Sequence, residues 1–226
     1  MKTFTPLVAL CCALLSSLSI QAQNLVPNYS FEDFTNCPTI FSQLNFAPPW
    51  ITPTGGTSDY FNACSNGTPV DVPTNFAGNQ MPSTGDGYAG GINYIASFTN
   101  YREYVQIQLT EPLEPGFCYQ VNVQMSLGDQ SSFAIDNMGI HLSNGPVGNI
   151  GQIDAINVTP QFVQTTPLNN PDDWTNIGGT YIAVGGENYI TIGCFVNDNQ
   201  LTIENRSGTN DFAYYYIDDV EVILMT

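Results

Sequence analysis

Alternating apolar and polar residues predict several β-strands along the chain. The clearest stretch runs from Cys118 to Leu127, where every second residue from Tyr119 onward is apolar and Gln, Asn or Ser stands between. A period of two over this length is typical of a half-buried antiparallel strand. Residues 105–109 show the same alternation, and the Pro- and Gly-rich connection that follows predicts a hairpin with this strand. Further strands are predicted at residues 134–143, 180–183, 189–195 and 212–224.

The spacing of these strands favours a single all-β domain. Turns rich in Gly, Pro and Asn separate them, and no segment combines sustained helical periodicity with helix caps. We therefore expect one jelly-roll β-sandwich of antiparallel sheets over residues 24–226. Residues 64–87 are expected to form a long excursion that caps one end of the sandwich.

Residues 1–23 predict a signal peptide. A positive start at Lys2 precedes the apolar run from Leu7 to Leu15, and Ala22 offers a small residue for cleavage. This apolar run is shorter than the about 20 residues that a membrane-spanning helix needs. We expect a secreted or otherwise extracytoplasmic protein, in the periplasm or at the cell surface, without membrane insertion.

The charge of the chain narrows the range of partners. Lys and Arg number 3 and Asp and Glu number 20, which gives a formal net charge of -17 at pH 7. So few cations cannot displace the counterions of a phosphate backbone, which argues against nucleic acid as a partner. The same excess of carboxylates favours calcium over anionic ligands.

Four cysteines follow the signal peptide: Cys37, Cys64, Cys118 and Cys194. An even number in an exported protein suggests two disulfides, for which three pairings are possible. We favour Cys37 with Cys64, which leaves Cys118 to Cys194. Strand parity weakens this second pair, because Cys194 shares the parity of buried isoleucines and Cys118 that of exposed amides.

One outer sheet face is predicted to bind a ligand. Strand parity assigns seven side chains to it: Arg102, Tyr104, Gln106, Gln120, Asn122, Gln124 and His141. Amides and a guanidinium supply paired donors and acceptors for sugar hydroxyls, and an aromatic ring packs on the C–H face of a sugar. We therefore predict a site for a neutral glycan or polysaccharide. The alternative is an ordinary solvated sheet face.

The segment Ile217-Asp218-Asp219-Val220 breaks the period of two, since its apolar residues stand three apart. This spacing predicts a β-bulge, which can turn a carboxylate and a carbonyl oxygen to the same side. Calcium takes six to eight such oxygens. The alternative is that Asp218 and Asp219 only solvate a strand edge. Residues 133–138 repeat the pattern weakly, with an aromatic residue, Ile and an Asp-Asn pair.

Several segments together resemble a secreted Bacteroidota domain that commonly opens with Asn-Leu-Val-Pro-Asn-Pro-Ser-Phe-Glu. They are Asn24–Glu32, Ala47–Trp50, Asp59–Cys64, Tyr101–Tyr104, Gly186–Gly193 and Tyr215–Val220. Position 29 is Tyr where that domain usually has Pro. The opening and closing segments are more distantly similar to calcium-containing jelly-roll carbohydrate-binding modules, which implies a galactose-binding-like or carbohydrate-binding-module-like architecture. This resemblance implies that Glu32 and either Asp219 or Asp218 bind a structural calcium.

Catalytic motifs are scarce. The chain has one His, no Gly-x-Ser-x-Gly elbow and no His or Cys cluster at zinc spacing. One enzyme alternative is a polysaccharide lyase, in which His141 abstracts a proton beside Tyr104 while Arg102 and Gln106 stabilise a uronate. The negative charge of the chain opposes such a substrate. We expect a non-catalytic, secreted carbohydrate-binding domain, with a structural or adhesive cell-surface protein as the alternative.

Overall fold

Antiparallel β-strands dominate residues 23–225, the part of the chain that this computed structural model describes. Three short 3₁₀-helices lie at Leu44–Phe46, Ala63–Ser65 and Asp198–Gln200. The strands are β1 (Asp59–Asn62), β2 (Thr74–Asn75), β3 (Gly78–Asn79), β4 (Gly87–Ile95), β5 (Val105–Gln108), β6 (Cys118–Leu127), β7 (Phe133–Ile135), β8 (Met138–Ser143), β9 (Phe162–Val163), β10 (Thr175–Ile182), β11 (Tyr189–Cys194), β12 (Ile203–Asn205) and β13 (Phe212–Leu224).

Two sheets face each other across the core. One has five strands in the order β1-β4-β13-β6-β10, and the other has four in the order β5-β11-β8-β9. Two small ladders, β7 with β12 and β2 with β3, complete the structure of the described residues. All these pairs are antiparallel. The predicted all-β jelly-roll sandwich is confirmed.

Strand β6 shows how the alternating pattern builds the core. Its bounds are those predicted, and its apolar residues from Tyr119 to Leu127 are buried between the sheets. Ile190 and Ile192 of β11 belong to the same buried cluster. The polar residues of β6 point away from the core, because successive side chains on a strand face opposite sides of a sheet.

Two of the strand predictions are wrong in their connections. Strand β5 pairs with β11 in the four-stranded sheet, whereas β6 lies between β13 and β10, so the two form no hairpin. The predicted strand at residues 134–143 is interrupted at Asp136 and Asn137. Asn137 adopts a left-handed conformation with a φ of 60°, which changes the direction of the chain. As a result, β7 pairs with β12, whereas β8 pairs with β11.

Residues 64–87 were predicted to cap one end of the sandwich. In the structure this segment covers the outer face of the five-stranded sheet instead. Phe76 of this excursion packs against Phe61 and Tyr214 on the outer side of the sheet. Strand β4 itself escaped prediction because glycines interrupt its pattern. A Cβ at Gly90 would lie 2.6 Å from the ring of Tyr214, so only glycine lets that ring cross β4.

The cysteines confirm one predicted disulfide and overturn the other. Cys37 and Cys64 are bonded, with their Cα atoms 5.7 Å apart. Cys118 and Cys194 are free thiols. They stand on β6 and β11, which belong to different sheets. Cys194 is buried and Cys118 is partly exposed, as strand parity predicts.

The predicted signal peptide lies outside the described residues except for Gln23. Among residues 23–225, no helix combines the length and apolar character needed to cross a membrane.

Candidate functional site

The outer face of the five-stranded sheet is open over β6 and β10. Gln120, Asn122 and Gln124 alternate outward along β6 and are partly exposed. In the register of β10, Asn176 lies opposite Gln124 and Gly178 lies opposite Asn122. Since Gly178 has no side chain, the β10 residue opposite Asn122 does not cover it, and the side-chain amides of β6 remain accessible to solvent at this point. These amides form the floor of the open area.

A groove of about 420 Å³ forms at the edge of this open area. Its lining comes from five separate segments of the chain: Tyr29, Thr84, Asn122, Gln124, Asn176, Asp219 and Glu221. Tyr29 is 46% exposed. The groove therefore combines an aromatic side chain, three amides and two carboxylates, and its lining includes no Lys, Arg or His.

Hydrogen bonds fix the orientation of Asn122 in the floor. Its Oδ1 accepts from Gln120 Nε2 at 2.9 Å and from Asn176 Nδ2 at 3.2 Å, while its Nδ2 donates to Glu221 Oε2 at 3.1 Å. The side chain of Gln124 makes no hydrogen bond to the described residues. Gln124 thus presents both its donor and its acceptor to the groove.

The predicted β-bulge in β13 places Asp219 in this groove. The pairing of β13 with β6 shifts between Asp218 and Glu221, and Asp219 has a φ of 43°. Asn137, at the matching position of the weaker repeat, has a φ of 60°. The sequence echo therefore reflects a shared left-handed residue that redirects the chain.

Asp218 lies beneath the groove and is fully buried. Its Oδ2 accepts hydrogen bonds from the main-chain N–H groups of Ser83 at 2.8 Å and Thr84 at 3.2 Å. Burial, and then the neighbouring charge of Asp219, raise the pKa of Asp218 to about 8. Ionised Asp218 is therefore costly without a nearby positive charge.

Glu32 holds the same turn from its other end. Its Oε1 accepts from the main-chain N–H groups of Asp86 and Gly87, both at 2.9 Å. The three residues predicted to bind calcium thus converge on residues 83–87. Within residues 23–225, no three His, Cys, Asp or Glu side chains form a metal-binding group by themselves. A calcium ion here would need main-chain oxygens beside the carboxylates.

Three of the predicted ligand-binding residues are buried and structural, so their prediction as an exposed face is wrong. Arg102 is 0% exposed and its Nη2 lies 2.8 Å from Asp198 Oδ1. Tyr104 donates its hydroxyl hydrogen to the carbonyl of Cys194 at 2.5 Å, and Gln106 Nε2 donates to Thr191 Oγ1 at 2.7 Å.

Residues 147–158 explain this burial. Val147 accepts a hydrogen bond from Gln106 through its carbonyl, and Ile156 packs against Tyr104. The segment thereby covers the outer face of the four-stranded sheet. Strand parity assigned the side chains to the outer face, but it carries no information about a loop that later covers that face.

His141 stands on β8, in the sheet that lies across the core from the groove. Its Nδ1 is 3.1 Å from the carbonyl oxygen of Thr159. Burial lowers its pKa below the ordinary value. With Arg102 and Gln106 both enclosed, the residues named for a lyase do not share one open surface.

The remaining groove residues were not foreseen from the sequence. Tyr29, Thr84 and Asn176 stand in loops or at a sheet edge, and they meet only because strands distant in sequence pair. Glu221 carried a weak signal, since it follows Asp219 by two residues near the predicted bulge.

No protein-family model matches this chain, and no curated protein matches it. Solved structures of similar fold include the CBM22-1 xylan-binding domain of Xyn10C from Paenibacillus barcinonensis, at 15% identity over 90% of this chain and 95% of that one, with a TM-score of 0.45. The Stig cyclase Fisc from Fischerella sp. TAU matches at 16% identity over 91% and 98% of the two chains, with a TM-score of 0.49. The K2 cleaved adhesin domain of Lys-gingipain matches at 9% identity over 88% and 96%, with a TM-score of 0.42. None of these similarities assigns a function.

Proposed function

We propose that this protein is an exported, non-catalytic carbohydrate-binding domain and that the groove over β6 and β10 binds a neutral glycan. The observation that carries the proposal is the composition of the groove. Its amides, carboxylates and exposed Tyr29 suit sugar hydroxyls and a sugar ring, and its lining includes no cationic side chain. The Cys37–Cys64 disulfide agrees with export to an oxidising compartment.

The groups of the groove have distinct roles in this proposal. The free amide of Gln124 donates to one hydroxyl and accepts from its neighbour, while Glu221 accepts from a further hydroxyl. Tyr29 packs against the C–H face of a sugar ring. The hydrogen-bonded Asn122 holds this surface in place, so little ordering is needed when the ligand binds.

We expect a screen of soluble glycans and insoluble polysaccharides to yield at least one neutral ligand. Tyr29→Ala and Gln124→Ala should each weaken its binding about tenfold, since each removes about 1.4 kcal/mol of contact. Titration calorimetry with the identified glycan measures the change. Gln108→Ala is the matched control, because Gln108 is an exposed amide on β5 in the other sheet. Equal affinity in all variants would place the glycan elsewhere, and an empty screen would remove the proposal.

We further propose that calcium binds at the turn formed by residues 83–87. Among the described residues, Glu32 Oε2 and Asp219 Oδ2 accept no hydrogen bond, so both are free to coordinate a cation. Thr84 Oγ1, 2.6 Å from Asp219 Oδ1, and nearby main-chain carbonyls supply further oxygen ligands of the kind calcium prefers. A bound ion would also offset the cost of ionised Asp218.

Calcium at ten times its dissociation constant should raise the free energy of unfolding by about 1.4 kcal/mol, and a chelator should reverse the gain. Glu32→Ala and Asp219→Ala should abolish this calcium-dependent rise in melting temperature. Asp154→Ala serves as the control, because Asp154 is an exposed carboxylate in residues 147–158, which lie over the other sheet. A melting temperature indifferent to both calcium and chelator would refute the site.

A second candidate function is adhesion through protein contacts. Phe117, Ile182 and Val184 are exposed near one end of β6 and β10, where hydrogen bonds join Phe117 and Gly116 to Ala183. Exposed apolar side chains in one place are typical of protein-binding surfaces. The glycan screen separates the two candidates, since a purely adhesive protein binds no glycan.

A further inference from the structure

A second pocket opens on the same sheet, on the side of β1 and β4. It has a volume of about 380 Å³ and is lined by Phe41, Ser42, Thr57, Asp59, Phe76, Ile92 and Glu103. It shares no lining residue with the groove over β6 and β10. Its walls are chiefly apolar, but two carboxylates belong to its lining.

The topology brings these two carboxylates together. The pairing of β1 with β4 begins at Asp59, opposite Gly90. Two positions further along β4, Glu103 pairs with the strand edge at Ile92. Its N–H donates to the carbonyl of Ile92, and its Oε2 accepts from the N–H of Ile92 at 2.7 Å. Both carboxylates therefore face the same edge of β4. Asp59 is 4% exposed and Glu103 is 2% exposed.

Only neutral groups hold these carboxylates. Asp59 accepts from the N–H of Ser42 at 2.6 Å and from the hydroxyl of Tyr214 at 2.7 Å. Glu103 Oε1 accepts from Thr57 N, Thr57 Oγ1 and the hydroxyl of Tyr101. Within residues 23–225, the ion pairs of the two arginines go to other carboxylates, Asp198 and Glu204. The pocket thus holds two buried acids without a cation.

Because the two carboxylates are buried and no cation among the described residues pairs with them, the pKa of Asp59 is raised. The titratable groups that face Asp59 are Glu103, Tyr214, Tyr101 and Tyr216. Burial, and then the charge of Glu103, raise the pKa of Asp59 to about 7. The pair accordingly favours either a bound proton or a bound cation at neutral pH.

The walls indicate which kind of cation fits. Phe41 and Phe76 meet edge to face with ring centroids 4.7 Å apart, and Ile92 completes the apolar lining. Aromatic faces attract organic cations, whereas apolar walls offer no oxygen ligands to a hydrated metal ion. A neutral apolar molecule would fill the space but leave the charge uncompensated.

We propose that this pocket binds an organic cation, a primary ammonium or quaternary ammonium group with a small apolar body. The charged head lies between Asp59 and Glu103, and the carbon atoms pack on Phe41 and Phe76. Glu103, whose two oxygens accept four hydrogen bonds, supplies the second carboxylate. Asp59 loses its proton to solvent as the cation enters, and the Tyr214 hydroxyl then donates to the carboxylate. The long-range negative field of the chain favours entry of a cation.

Titration calorimetry with n-butylammonium and tetramethylammonium at pH 7 tests this proposal, with butan-1-ol as the neutral analogue of the first probe. We expect butylammonium to bind at least tenfold more tightly than butan-1-ol. Repeating the titration in phosphate and in MOPS should reveal proton release on binding, because the two buffers differ in ionisation enthalpy and neither carries a net positive charge that could compete for the pocket. Tighter binding of the alcohol, or no binding of either ammonium ion, would overturn the proposal.

Variants separate the ligand site from a structural role. Asp59→Asn keeps the shape of the side chain. Its Oδ1 can accept from Ser42 N, and its Nδ2 would donate to the Tyr214 hydroxyl, which reverses that bond. The variant should weaken butylammonium at least tenfold and abolish the proton release. Glu103→Gln should also weaken the cation, whereas the exposed control Asp173→Asn should change neither quantity. Near-ultraviolet circular dichroism confirms that each variant is folded. Unchanged ammonium affinity in folded Asp59→Asn would overturn the proposal, and unchanged proton release would do the same.

Discussion

Arg102→Ala is expected to lower the free energy of unfolding by about 3 kcal/mol, because it removes a fully buried guanidinium whose hydrogen bonds and ion pair hold groups that are buried or only partly exposed. The Arg102 guanidinium pairs with Asp198 and also donates to the main-chain carbonyls of Val196 and Tyr101. All three acceptors lose a charged donor in the variant. The side chain of Arg102 is fully enclosed, so its packing is lost as well.

Urea unfolding at neutral pH measures this loss, and Arg206→Ala is the matched control. Arg206 stands 3.6 Å from Glu204, and both side chains are partly exposed to solvent. Solvent screening limits such a pair to about 0.5 kcal/mol. Equal stability losses in the two variants would contradict the structural role assigned to Arg102. A ligand-binding role for Arg102 alone would leave the unfolding midpoint unchanged.

The strands whose two faces differ in polarity could be predicted well from the sequence. Strand β6 has the predicted bounds because its inner residues are consistently apolar, and β13 has the predicted bounds although a bulge interrupts it. The Asp218-Asp219 pair revealed that bulge because an extra residue shifts the period. Strand β4 could not be predicted in this way. Its Gly90 is required by Tyr214, a residue more than 120 positions later, and not by local preference.

The candidate site was predictable only in part, for a related reason. Parity alone places Gln120, Asn122 and Gln124 on an outer face, and the structure leaves that face open. The same parity argument placed Gln106 on an outer face, but Val147 and its neighbours cover that face. Whether a sheet face meets solvent depends on where long loops fold back, and these contacts join residues far apart in sequence.

Asp59→Asn is expected to make the protein more stable at pH 8, by roughly 4 kcal/mol, and to leave its stability nearly unchanged at pH 4. The pKa of Asp59 rises from 3.8 to about 7 on folding, chiefly through burial and then through Glu103. The folded parent therefore binds more protons than the unfolded chain between these values. Its stabilising contribution is complete below pH 4 and is lost as the pH rises through 7. Asparagine carries no charge, so the variant avoids this loss.

Urea unfolding of parent and variant at several pH values from 4 to 8 measures the difference, which should grow by about 1.4 kcal/mol for each pH unit between 4 and 7. Asp173→Asn, at an exposed position, should show no such growth. A difference independent of pH would mean that Asp59 is ionised throughout and that its neighbours stabilise the charge. A stability difference that grows with pH would show that the Asp59 carboxylate destabilises the folded protein. Residues that are costly to the fold are typical of sites whose cost is offset when a ligand binds, and in this pocket an organic cation would supply the missing positive charge.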